Sequence, residues 1–211
     1  MNFIQLDNFL LFAFASLMLN ITPGNDMIYV ATRSINQGMK AGVVSAIGIA
    51  LGCFVHMAAS IFGLSSIIAQ STLLFDIIKY AGALYLFYLG IKSIIGKPIE
   101  YKLNDSISVD NKKVLLQGII TNILNPKVAL FFLAFLPQFV NFKTGNIPLQ
   151  LTILGVWFNF SGTMVNILVA ITLGKMGNWL TNFPAFWKWQ SKITGGVLCA
   201  LGLRLAFASR K

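Results

Sequence analysis

The stretch LLFAFASLMLNITPGNDMIYVATRS, residues 10 to 34, decides how the chain is read. It begins as an apolar run of the kind that crosses a bilayer. At Thr22, Pro23, Gly24, Asn25 and Asp26 it abandons that pattern in mid-span. Proline removes a backbone donor and glycine adds backbone freedom, so both interrupt a helix. A carboxylate at bilayer depth costs about 2.5–3.5 kcal/mol even on the lenient insertion scale. A span that gathers all three at one point has a use for irregular backbone and for charge.

Working outward, composition fixes the solvent. Of 211 residues, 56% are hydrophobic and only 10% charged, more apolar surface than a soluble domain of this length needs. The chain reads as an all-α integral membrane protein. A spanning helix takes roughly 20 mainly apolar residues, and six such runs are expected, at 9–33, 42–69, 73–95, 114–140, 149–173 and 191–208. Asp7 stands where a signal peptide carries a basic region, and the first run continues past any cleavage point. That run is therefore expected to be retained as a span.

The net charge of +10 comes from 16 basic against 6 acidic residues. The basic residues fall in short gaps between apolar runs, which argues for cytoplasmic loops and against a nucleic-acid partner. Arg33, Lys40, Lys92, Lys97, Lys102, Lys112, Lys113, Lys175, Lys188 and Lys192 follow spans one, three and five, ten against five on the other side (Lys79, Lys143, Arg204, Arg210 and Lys211). The positive-inside rule then places both termini on the outer side. The one sizeable polar gap, GKPIEYKLNDSISVDNKK at 96–113, is a cytoplasmic loop too short for a domain. In NWLTNFPAFWKWQSK, residues 178–192, Trp179, Trp187 and Trp189 beside Lys188 and Lys192 have the character of an interfacial anchor to membrane lipid. Cys53 and Cys199 lie apart inside apolar runs and suggest small packing residues, with no metal-ligand spacing.

The features recur. Span one breaks at ITPG (21–24) and span four at LNPK (124–127); span three ends YLFYLGIK (85–92) and span six ends VLCALGLR (197–204). Residues 1–95 and 114–211 therefore read as two three-span repeats. Three is odd, so the second inserts upside down relative to the first. Inverted repeats with discontinuous helices are a transporter plan that places the site at the midplane.

Thr22–Pro23 and Asn125–Pro126 each pair a good N-cap residue with Pro at the first helical position. Each is thus expected to start a half-helix whose free N–H groups face the membrane centre and suit an anionic group. Thr22, Gly24, Asn25, Asp26, Asn125 and Lys127 are the candidate substrate-binding residues. Two roles are open to Asp26: complementing the helix dipole, or carrying the coupling proton, since it is the one acidic residue deep in an apolar span. Lys127 opposes the dipole of its own half-helix and so needs a nearby anion, either Asp26 or a substrate carboxylate.

His56 shares a stripe with Gly48 and Gly52, a GxxxG contact face, and is expected against another helix as a packing or relay histidine. Asn159, Thr163 and Asn166 recur at i, i+4, i+7 and face inward, as pathway lining or as helix glue. Tyr85 and Tyr88 are similarly open.

NITPGNDMIYVATRSINQGMKAGVVSAIGIALG, LQGIITNILNPKVALFFLAFLPQFV and YAGALYLFYLGIKSI resemble signature segments of the LysE/RhtB family of bacterial amino-acid exporters, over essentially the whole chain. The family pattern reads Thr-Pro-Gly-Pro-Asp, and Asn25 replaces its second proline, which bears on substrate preference. The resemblance implies export of amino acids or their derivatives across the inner membrane by proton antiport, with no cofactor. The alternative is a small-cation or metal exporter on the same fold, disfavoured by one His, two separated Cys and a single buried acid. Paired cysteines would argue for a thiol-electron carrier, and a phosphate loop, a Ser/His/Asp arrangement or a haem-type histidine pair for an enzyme, and none is seen. The sequence is compatible with a homo-oligomer without specifying one.

Overall fold

The computed structural model describes residues 6–64, 72–96, 110–141, 145–180 and 184–207, and among them every regular element is helical. The first apolar run is two helices, α1 (Leu6–Ile21) and α2 (Asn25–Gln37), bent by 50° at the intervening residues. Gly38, at φ +84, turns the chain into α3 (Met39–Ala59), which continues as a π-helical turn, Ser60–Leu64. α4 follows at Thr72–Ile95.

The fourth run is again broken. α5 (Asn111–Ile123) meets α6 (Pro126–Leu130), which passes through a π-helical turn (Phe131–Phe135) and a 3-10 turn (Leu136–Phe139), and the pair is bent by 46°. α7 (Ile147–Leu180) outruns its expected end at 173. α8 (Pro184–Phe207) begins seven residues before its expected start, at a proline suited to a helix's first position. Residues 97–109 of the expected loop, the five residues that would end the second span, and the side chains of Trp179 and Trp187 lie outside the described residues.

Among the described residues, Met39–Gly63 and Ile147–Lys175 are each long and apolar enough to cross a membrane. The count rises to four if each bent pair is one span. Large apolar side chains cover the outer surfaces, with Leu84 72% and Phe62 78% exposed, a surface stable against lipid and not against water.

Without a hydrophobic drive between helices in lipid, close packing must hold them together. Small residues supply it. A Cβ on Gly52 would lie 2.7 Å from the Ile119 carbonyl oxygen, so α3 and α5 approach backbone to backbone through Gly48, Gly52 and Gly118. α4 and α8 do the same reciprocally: a Cβ on Gly90 would sit 2.7 Å from the Gly195 carbonyl, and one on Gly202 would sit 2.8 Å from the Ala83 carbonyl. Phe12, Phe131, Phe135 and Phe139 form a buried aromatic cluster with Phe158, whose ring stacks on Phe131 at 4.1 Å. The cluster joins the part of α1 before the first break to the α6 segment after the second.

Candidate functional site

Both breaks arise where a backbone cannot continue its ladder. At the first, Thr22 belongs to the end of α1: its N–H donates to the Met18 and Leu19 carbonyls, and its Oγ1 donates to Met18 O at 2.8 Å. The expectation that Thr22 caps the next helix is thus corrected. Pro23 has no N–H to offer, Gly24 is extended, and α2 starts at Asn25 with Asp26 in its first turn. At the second break the expected cap forms, with Asn125 Oδ1 accepting from Lys127 N at 3.0 Å and Pro126 opening α6.

The tertiary structure supplies Lys127 with partners that neither sequence alternative contained. Its ammonium donates to Thr22 O at 2.9 Å and Leu19 O at 3.1 Å, the terminal carbonyls of α1. A cation at the start of its own helix is thereby placed at the negative end of another. Lys127 and Asp26 line one small cavity, with no hydrogen bond between them. Gly24 makes the arrangement possible, because a Cβ there would lie 3.2 Å from Lys127 Nζ. Two of three ammonium donors are used, leaving the third for the space around it.

Asp26 Oδ2 accepts from Asn122 Nδ2 at 2.8 Å. Asp26 Oδ1, Asn122 Oδ1 and Asn125 Nδ2 are buried without a hydrogen-bond partner. His56 Nε2 lies 2.9 Å from Asn122 O, and the ring stacks near Phe132. The α3 stripe therefore faces α5 as its glycines required, and His56 secures the carbonyl of the residue that holds Asp26.

Two cavities flank the breaks. The larger, about 660 Å³, is lined by Thr22, Gly24, Asn25, Asn125 and Lys127 together with Tyr85, Tyr88 and Lys92, toward the end of α4. The smaller, about 30 Å³, is lined by Asp26, Asn122, Lys127, Asn20 and the α7 stripe Asn159, Thr163 and Asn166. Lys127 is the one residue common to both linings, and His56 lines neither. Asn159 Nδ2 also donates to Ala50 O at 3.2 Å, so the stripe both borders a cavity and ties α7 to α3. Asn20, Asn122 and Lys92 were not anticipated. The available signal was an amide in an apolar span, where every polar side chain is costly.

These features define a helical membrane protein with two discontinuous helices meeting at a polar site. A family model for the LysE type translocator matches residues 17–209, and the chain belongs to that family. It is 35% identical to the membrane protein YrhP of Bacillus subtilis, covering 89% of this chain and 92% of the relative. It is 30% identical to the homoserine/homoserine lactone efflux protein of Salmonella typhimurium, covering 92% and 93%. A Vibrio cholerae membrane protein is 24% identical over 94% and 96%. No solved structure gives a significant match.

Proposed function

We propose that the protein is an inner-membrane secondary transporter, not an enzyme, that exports an amino acid or amino-acid derivative in exchange for protons. One observation carries the reading: both helix breaks border one cavity of about 660 Å³, within the roughly 300–1,000 Å³ of small-molecule sites, with Lys127 between it and Asp26. The substrate's carboxylate docks at the exposed start of α2 and takes the third donor of Lys127. Its ammonium is met by the Asp26 side, and Asp26 gives up its proton as that cation arrives. The name of the Salmonella relative makes homoserine and its lactone the first substrates to try.

The reading includes six spans as two inverted halves, 1–95 and 114–211, joined by a cytoplasmic loop at 96–113. The reciprocal Gly90–Gly195 and Gly202–Ala83 contacts support it, since a two-fold axis exchanges them. So does the pairing of α3 in the first half with α5 in the second, matched by that of α7 in the second half with α1 and α2 in the first. With both termini outside, the large cavity lies on the cytoplasmic side of the breaks and the phenylalanine cluster on the outer side. This arrangement is the loading state of an exporter. Rocking of one half against the other around the fixed site would release the substrate outward.

The test is efflux from cells preloaded with a mixed amino-acid pool including homoserine, with and without the protein. The reading requires faster loss of one or a few amino acids. Loss of cations with no amino acid moving would replace it with a cation exporter.

A further inference from the structure

The small cavity beside Asp26 has a composition that proton carriage alone does not require. Asn122 donates one amide hydrogen to Asp26 Oδ2, and Asn20 donates both of its own, to Phe158 O and Ser161 Oγ at 3.2 and 3.0 Å. Asn159 donates to Ala50 O. Asn20 spends both amide hydrogens on the wall, and Asn122 and Asn159 spend one each, which leaves their side-chain oxygens for the cavity. Asn122 is only 2% exposed and its Oδ1 has no partner; Asp26 Oδ1, though the Asn125 amide is near the carboxylate, makes no hydrogen bond of normal geometry. Buried acceptors left bare are expensive, and need a donor or a cation.

Size and charge narrow the occupant. A volume of about 30 Å³ admits a bare ion or a few waters and is far too little for an amino acid. Carboxylate and amide oxygens suit a hard cation. The wall holds one carboxylate, which favours a single charge. Its one cation, Lys127, is held by the α1 carbonyls, so the negative end of that helix already balances it.

We propose that this cavity is a sodium-ion site formed by Asp26 Oδ1, Asn122 Oδ1 and the oxygens of Asn20, Asn159, Thr163 and Asn166, and that sodium competes there with the coupling proton. The ion's role in transport rests on the exporter reading; its binding does not. Broken-helix transporters commonly hold their coupling ions at such midplane oxygen clusters.

The test uses the full chain in nanodiscs, with thermal unfolding followed in sodium, potassium and choline chloride at equal ionic strength. Sodium is expected to raise the midpoint by about 5 °C at saturation, saturably, with no such rise in choline or potassium. The rise should vanish in Asp26→Asn and shrink in Asn166→Ala, the second variant guarding against a folding defect in the first. Equal midpoints in the three salts for the wild type, as a water-filled cavity would give, overturn the site. In liposomes, an imposed sodium gradient with the proton gradient collapsed should speed amino-acid movement roughly fivefold or more. Sodium-specific stabilisation without any amino-acid transport upholds the site and refutes the exporter. Export with no response to sodium in either assay refutes the site and leaves the exporter standing.

Discussion

The ammonium nitrogen of Lys127 lies 2.9 Å from the carbonyl oxygen of Thr22, joining the start of one discontinuous helix to the end of the other. In lipid an unpaired carbonyl has no water to turn to. The bond, with its companion to Leu19, therefore holds the first break in shape as well as presenting charge to the cavities. Lys127→Met strips a cation from two buried carbonyls. It should destabilise the protein by about 2 kcal/mol, a fall of roughly 4–8 °C in Tm at this length, and abolish efflux. Unfolding of the purified variant beside wild type checks this, and an unchanged Tm would remove Lys127 as a cap.

Gly24 is required for space, since its backbone is extended and within reach of any residue. Gly24→Ala puts a Cβ 3.2 Å from Lys127 Nζ, displacing the ammonium by a few tenths of an ångström. Gly24→Val displaces it further. Efflux should fall several-fold in the first and up to roughly a hundredfold in the second, the scale of a misplacement near 1 Å. Rates are to be normalised to protein in the membrane. Wild-type efflux from Gly24→Val would show that the placement of the Lys127 ammonium beside Gly24 is not needed.

His56 bonds the Asn122 carbonyl and borders neither cavity, which argues for a supporting role. His56→Phe should cost about 1 kcal/mol through the lost hydrogen bond and leave the pH profile of efflux in place. A shifted profile would instead make it part of the proton path.

Neighbouring glycines in α8 offer an internal control. A Cβ on Gly195 would stand 2.6 Å from the Gly90 carbonyl, whereas one on Gly196 meets nothing within 4 Å. Gly195→Ala should lose about 1–3 kcal/mol by forcing α4 and α8 apart, and Gly196→Ala should gain up to about 1 kcal/mol in helix propensity. Tm measurements on the two variants compare them directly, and similar behaviour would contradict the close α4–α8 approach.

The breaks were legible because Pro23 and Pro126 act on their own backbones. The α3–α5 face was legible because Gly48, Gly52 and His56 repeat at helical spacing. Thr22 misled because its hydroxyl serves either direction along the chain, and the α1 carbonyls claimed it. The partners of Lys127 were invisible in sequence, since they are backbone atoms more than a hundred residues away. Asn122 escaped for a similar reason, lying ordinary in its helix until α5 packs beside α2. The π-helical turns after α3 and α6 carry no local signal in the sequence.

The central claim is that Asp26 couples substrate to ion at the meeting point of the two breaks. Its most direct test is transport in liposomes, comparing wild type with Asp26→Asn for gradient-driven accumulation and for one-to-one exchange of labelled substrate. The account predicts that Asp26→Asn still exchanges substrate but no longer accumulates it against a gradient. Accumulation at the wild-type level by Asp26→Asn would contradict the account.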